Sequence, residues 1–233
     1  MSQQSIQNKV IFDVSDEVVA LGLKGSYLTI RGLKNRQTDS EFEAVKARAI
    51  EEILPTLSKE KIENSQILSG FRQLHERVDR PGKKHVSSPE NLLNMLLEKQ
   101  GLPQVNLLVD IYNLVSIQTQ LALGAHDLEK VTGNVHLRLT NGQEKFWPLG
   151  HAKPQGIGAD EYAYIDDADD IICRLEVRQV EKTKVTLETT GCFFIVQGNA
   201  NTPGQQIEDA ANKLVELVKR FCGGDAQFLH QIF

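Results

Sequence analysis

Arg174, Glu176 and Arg178 alternate along the largely apolar stretch DIICRLEVR, and at period two a strand would carry all three on one face. Arginine rarely enters a core without a partner, so two readings stand: an internal Arg-Glu-Arg ion network, or a fork that grips a carboxyl, a carbonyl or a terminal phosphate. His126 and Asp127 are adjacent in LGAHDL. A histidine titrating near neutrality beside a carboxylate can act as a general base, although a structural histidine gives the same pattern. Residues 71 to 85, FRQLHERVDRPGKKH, carry five basic against two acidic side chains. They read either as a surface helix end or as a rim touching phosphate, with Arg77, Arg80, Lys83 and Lys84 as the candidate contacts.

Other chemistry is missing from the pattern. Gly156-Ile157-Gly158 lacks the lysine and hydroxyl that complete a phosphate loop, and no serine sits in a G-x-S-x-G frame. None of Cys173, Cys192 and Cys222 has a histidine at a diagnostic spacing; without a C-x-x-C pair they support neither a disulfide framework nor a zinc knuckle. Reduced thiols are expected. Asp166, Asp167, Asp169 and Asp170 lack the alternation, central glycine and closing glutamate of a calcium loop and read as a solvated turn. No metal and no cofactor is expected.

The elements that must position these residues follow from periodicity. VIFDV (10 to 14) and SYLTIRGL (26 to 33) alternate as half-buried strands. Ser40 to Glu43 spell a capping box ahead of a helix that Pro55 stops, a second helix is predicted over 60 to 77, and a third opens at Ser88-Pro89 and ends at Gly101. In 107 to 121, Leu107, Ile111, Leu114, Val115 and Leu121 form one apolar face. Asn106, Asp110, Asn113 and Gln120 edge it, as either a solvated ridge or the polar wall of a cleft. Residues 134 to 140 and 144 to 149 around Asn141-Gly142 read as a hairpin, and 150 to 161 as a long loop able to close over a site. EYAYI, DIICRLEV and CFFIVQ read as further strands, and Thr202 to Gln205 cap a last helix that Gly223-Gly224 ends. The predicted fold class is α+β, with a mixed sheet region over about 134 to 197 packed with helices.

The 233 residues, 40% hydrophobic and 24% charged, suffice for a sizeable core. A formal net charge of −5 argues against a protein that coats phosphate backbones, so any nucleic-acid contact must be local and DNA is not expected as a partner. MSQQSIQNKV has no basic region followed by an apolar run, and no window approaches the roughly 18 apolar residues of a membrane helix. A soluble, cytoplasmic protein without a membrane partner is expected.

Asn106 to Asn113 (NLLVDIYN), Gly124 to Lys130 (GAHDLEK) and Val135 to Arg138 (VHLR), followed by Asp166-Asp167 and Lys184 to Thr190 (KVTLETT), resemble in order and spacing the B3/B4 domain of the phenylalanyl-tRNA synthetase β subunit. The resemblance is close over about 105 to 197 and loose over 25 to 104. It implies a B3/B4-like fold and a single domain over 1–233, with a strand-helix part over 1–104, the matching core over 105–197 and a C-terminal capping helix over 198–233. The chain reads as a free-standing member, complete in itself.

In the synthetase the domain hydrolyses tRNA wrongly charged with tyrosine, so the resemblance implies an aminoacylated tRNA 3′ end as partner and no ligase activity. Asn113 matches the synthetase's asparagine, whereas Tyr112 replaces a small hydroxyl residue and Gly124 stands in place of a site histidine. Ile195 falls about where a tyrosine-selecting glutamate would be; an isoleucine accepts no hydrogen bond from a phenol, so a different ligand is expected. Arg174 to Gln179 replace a glycine-rich loop and should fill and charge the pocket. Asn113, Arg174 and Arg178 are thereby the candidates for polarising an ester carbonyl, and His126 for orienting water. Tyr112, Gly124, Glu176, Thr186 and Ile195 are the candidates for substrate contact. Two other functions share such a pocket: a non-catalytic binder of an amino acid or RNA end, and a hydrolase of a small ester or amide.

Overall fold

The computed structural model describes residues 10–82 and 84–233. In chain order these form β1 (Phe12–Val14), α1 (Asp16–Ala20), β2 (Lys24–Arg31), α2 (Ser40–Ile53), α3 (Lys59–Glu63), α4 (Gln66–Arg77), α5 (Ser88–Lys99) and α6 (Leu107–Thr119). There follow β3 (Ala122–Asp127), β4 (Val135–Asn141), β5 (Ala159–Asp166), β6 (Ile171–Arg174), β7 (Arg178–Gln179), β8 (Gly191–Gly198), α7 (Gly204–Cys222) and β9 (Asp225–Ile232). The fold is α+β. One sheet has the order β1-β4-β5-β6-β7, with β1 parallel to β4 and the rest antiparallel; the other, all antiparallel, has the order β3-β8-β2-β9.

Alternation along β8 sets the layering. Cys192, Phe194 and Val196 join Leu28, Ile30, Leu123 and Ala125 in a core shared with α2, α5, α6 and α7. Phe193 and Ile195, on the opposite face, pack with Tyr27 and Ala122 against Phe12, Leu137, Tyr162 and Tyr164 of the other sheet. The β3-β8-β2-β9 sheet is therefore the middle layer, covered by helices on one side and by a sheet on the other. A strand buried on both faces reads as a continuous apolar run, which is why CFFIVQ shows no polar alternation.

Several local expectations are corrected. Asp39, not Ser40, caps α2: its carboxylate accepts from the N–H groups of Glu41 and Phe42, each at 3.0 Å. The helix expected over 60 to 77 is two, α3 and α4, because the Ser65 hydroxyl accepts from Leu68 N at 3.3 Å and starts a new helix. The chain does turn at Gly142, which has φ +84°, but 144 to 149 do not pair with β4. The Glu144 carboxylate instead closes the turn by accepting from Asn141 N and Gly142 N, while β1 and β5 occupy the two edges of β4. The expected C-terminal helical part also differs after Gly224, where DAQFLHQI forms β9, an edge strand on β2. Its mixed pattern follows from exposure on the sheet's edge.

Candidate functional site

The sequence DIICRLEVRQ folds as a hairpin and not as one strand. β6 ends at Arg174, residues 175–177 turn with Leu175 at φ +52°, and β7 begins at Arg178, which lies directly across from Arg174. Glu176 at the tip is thereby aimed inward. His75 Nε2 of α4 lies 2.5 Å from its Oε1, while Oε2 accepts from the Tyr162 hydroxyl and from Gln197 Nε2 at 3.2 Å. Gln197 in turn accepts from the Tyr164 hydroxyl at 2.6 Å. Burial opposes charge on His75, but the attraction of Glu176 and their hydrogen bond prevail and raise its pKa. Burial, joined by the neighbouring Glu176, pushes the Tyr162 phenol far up.

This buried network backs a cavity of about 250 Å³. The cavity opens beside β3, the edge strand of the middle sheet, between α5 and α6 on one side and the β6-β7 hairpin on the other. Tyr112, Asn113, Gly124, Glu176, Arg178 and Ile195 all line it, brought together from four separate stretches of chain. Gly124 keeps it open: a Cβ there would stand 3.0 Å from Gln179 Nε2. Among the described residues the Asn113 amide and the Arg178 guanidinium make no hydrogen bond or ion pair, so both remain available to a ligand. Burial raises the phenol of Tyr112 and the thiol of Cys173, which keeps both protonated and denies the cavity a thiolate nucleophile.

Other candidates lie elsewhere. His126 and Asp127 are consecutive strand residues and face opposite ways, so they form no dyad. The His126 ring is sealed, with Nδ1 2.9 Å from Thr183 Oγ1, and burial lowers its pKa to about 3. Asp127 takes the Thr189 hydroxyl at 2.7 Å. Thr186 lies outside the cavity, its N–H held by Thr189 Oγ1 and its carbonyl by Asn35 Nδ2. Arg174 does not meet Glu176; its Nε donates to Glu161 Oε2 at 2.6 Å, and Arg80 Nε takes Oε1 of the same buried carboxylate at 2.9 Å. Arg77 donates to the Leu21 carbonyl at 2.5 Å, Lys84 is exposed, and Lys83 lies outside the described residues.

The polar edge of α6 is mostly structural. Asn106 caps the helix, Asp110 accepts from Val105 N and Lys46 Nζ, and Gln120 receives the Ser65 hydroxyl, which leaves Asn113 alone facing the cavity. Asp166 is not a solvated turn residue but a buried hub that accepts from Thr132 N, Ala168 N, Asp170 N and Lys182 Nζ. The cysteines are free and buried, and no group of His, Cys, Asp or Glu among the described residues is placed to hold a metal. The loop 150 to 158 runs past Phe146 and does not line the cavity. No helix among the described residues is long and apolar enough to cross a membrane. Sequence reasoning missed His75 and Gln197. A lone amide at the end of an apolar strand was the one signal for Gln197.

The B3/4 domain model matches residues 72–223. The chain belongs to this family. The match takes in the second half of α4, α5 to α7 and β3 to β8, so every element that lines the cavity falls within the B3/4 domain. The chain is 35% identical over 72 residues to the phenylalanine–tRNA ligase beta subunit of Shewanella oneidensis, covering 31% of this chain and 9% of that protein. It is 28% identical over 125 residues to the corresponding subunit of Mycoplasma genitalium, covering 50% of this chain and 14% of the other. It therefore spans only a small part of these relatives. An N-terminal fragment of the phenylalanyl-tRNA synthetase beta subunit from Pyrococcus horikoshii shares the fold, with a TM-score of 0.51 at 15% identity over 94% of this chain and 50% of that one.

Proposed function

We propose that this B3/4 domain acts on the aminoacylated 3′ end of tRNA, taking the aminoacyl group into the cavity and hydrolysing its ester in trans. The observation that carries the reading is the pair of uncommitted donors, Asn113 and Arg178, that both line a cavity of about 250 Å³. A carbonyl between them is polarised, and the oxyanion formed when water attacks is stabilised by groups already in place. The tetrahedral species collapses by breaking the bond to the ribose oxygen, which leaves with a proton; free amino acid and uncharged tRNA result. An ester demands no covalent nucleophile, in keeping with a cavity whose Cys173 thiol burial keeps protonated.

The test is release of amino acid from a panel of correctly and incorrectly charged tRNAs by the purified protein. Loss of one mischarged species, slowed about 10²- to 10³-fold by Asn113→Ala or Arg178→Ala, is the expected result. No release from any member would overturn it.

A second reading, binding without turnover, is favoured by the state of Glu176: His75, Tyr162 and Gln197 already occupy its oxygens, so the cavity holds no idle base. It predicts that an aminoacyl ligand raises the melting temperature while no product forms.

A further inference from the structure

On the outer face of the β1-β4-β5-β6-β7 sheet lies a depression of about 630 Å³ that shares no lining residue with the cavity. Its floor is apolar: Phe146, Ile171 and Val180 are buried and form a small core of their own with Ala163 and Ile165 of β5. Residues 145–148 frame it through bridges to Asp170, Gln155 and Val180. Trp147, the single tryptophan of the chain, forms a wall with Pro154 and is 45% exposed. Its Nε1 donates to the His151 carbonyl at 2.7 Å, so the indole offers a ligand its face and not its N–H. A cleft of this size, mainly apolar with a few polar groups, suits a small organic molecule.

The rim selects the charge of that molecule. Lys182 faces two carboxylates, Asp166 at 2.7 Å and Asp170 at 2.6 Å. Arg138 also faces two, Glu144 at 2.6 Å and Asp169 at 3.0 Å. Glu181 is matched by Lys184, and the Lys145 ammonium donates to the Ala168 carbonyl. Five carboxylates thus stand against four cations. Both oxygens of Glu144 and of Glu181 accept hydrogen bonds. Among the described residues Asp170 Oδ1 has no partner, and that side chain is 24% exposed. An open indole face and an idle carboxylate oxygen both attract a cation, the first through the ring quadrupole and the second through charge.

We infer that this depression binds a small aromatic amine in its protonated form, with the ring on the apolar floor against Trp147 and the ammonium on Asp170 Oδ1.

The test titrates the whole protein with phenylethylamine and follows Trp147 emission, excited where the probe does not absorb. A saturable change with a Kd on the order of 1 mM is expected, an affinity open to a ligand of so few atoms. Phenylpropionate keeps the ring and reverses the charge, and butylamine keeps the charge and lacks the ring; each should bind at least about 3-fold more weakly. Asp170→Asn should weaken phenylethylamine about 2- to 5-fold, the worth of an exposed ion pair. Trp147→Leu, read by calorimetry because the reporter is gone, should weaken it by a similar factor.

No saturation at about ten times the expected Kd, equal binding of phenylpropionate or butylamine, or an affinity unchanged in either variant would overturn the inference. The three probes are compared on the unaltered protein, so the requirements for ring and charge are read even if a variant unfolds. Neither Asp170 nor Trp147 lines the aminoacyl cavity, so this result and the hydrolysis reading fail separately.

Discussion

His75 Nε2 and Glu176 Oε1 meet at 2.5 Å across 101 residues of sequence, and both side chains are sealed from solvent. The pair ties α4 to the tip of the β6-β7 hairpin, which carries Arg178 at the cavity rim. The contact is at once a fold-holding and a site-positioning one.

Removing one member of a buried pair strands the other. Glu176→Ala also leaves the Tyr162 hydroxyl and the Gln197 amide without their acceptor, so a loss of about 3 to 5 kcal/mol is expected in urea denaturation. Glu176→Gln keeps an acceptor and should lose less. If Glu176→Ala unfolds at the wild-type urea midpoint, the network is not holding the hairpin.

The two enclosed histidines predict opposite pH slopes. The folded-state pKa of His75 is raised, so its contribution is complete below the unfolded value of about 6.5 and is lost as pH rises through the folded value. That of His126 is depressed to about 3, so its contribution is complete above about 6.5 and fades as pH falls toward 3, by on the order of 1 kcal/mol per pH unit. Denaturation curves from pH 4 to 9 should show His75→Gln flattening the alkaline limb and His126→Leu the acid limb.

Gly70 on α4 lets the helix touch the loop after β8. A Cβ there would collide with the Asn199 side chain, whose Nδ2 donates to the Ile67 carbonyl at 2.9 Å. Gly70→Ala should therefore destabilise by about 1 to 3 kcal/mol, despite alanine's better helix propensity. A rise in melting temperature would show that the loop yields at no cost.

Gly124→Ala should act on the cavity instead of the fold. The added methyl meets only the flexible end of Gln179, at 3.0 Å, so stability should change little while ligand affinity falls. The check is a thermal-shift titration in which the variant melts like wild type without ligand and shows a smaller shift with it.

The sequence by itself determined most elements and several of the residues that line the cavity. The apolar period of 107 to 121 yields α6, Pro and Gly punctuate α5, and Asn113, Gly124, Arg178 and Ile195 were legible as candidates and lie around one cavity. Local pattern carries such information because helix and strand periods depend on near neighbours. Tertiary structure alone decided which charges are partners. Alternation along 174 to 178 suggested Arg-Glu-Arg on one face, but a turn at Leu175 sends Glu176 to His75 and leaves Arg174 to Glu161. Likewise His126 and Asp127 are neighbours in sequence and strangers in space. An ion pair is a meeting of distant segments, and its energy depends on burial and geometry that no spacing along the chain encodes.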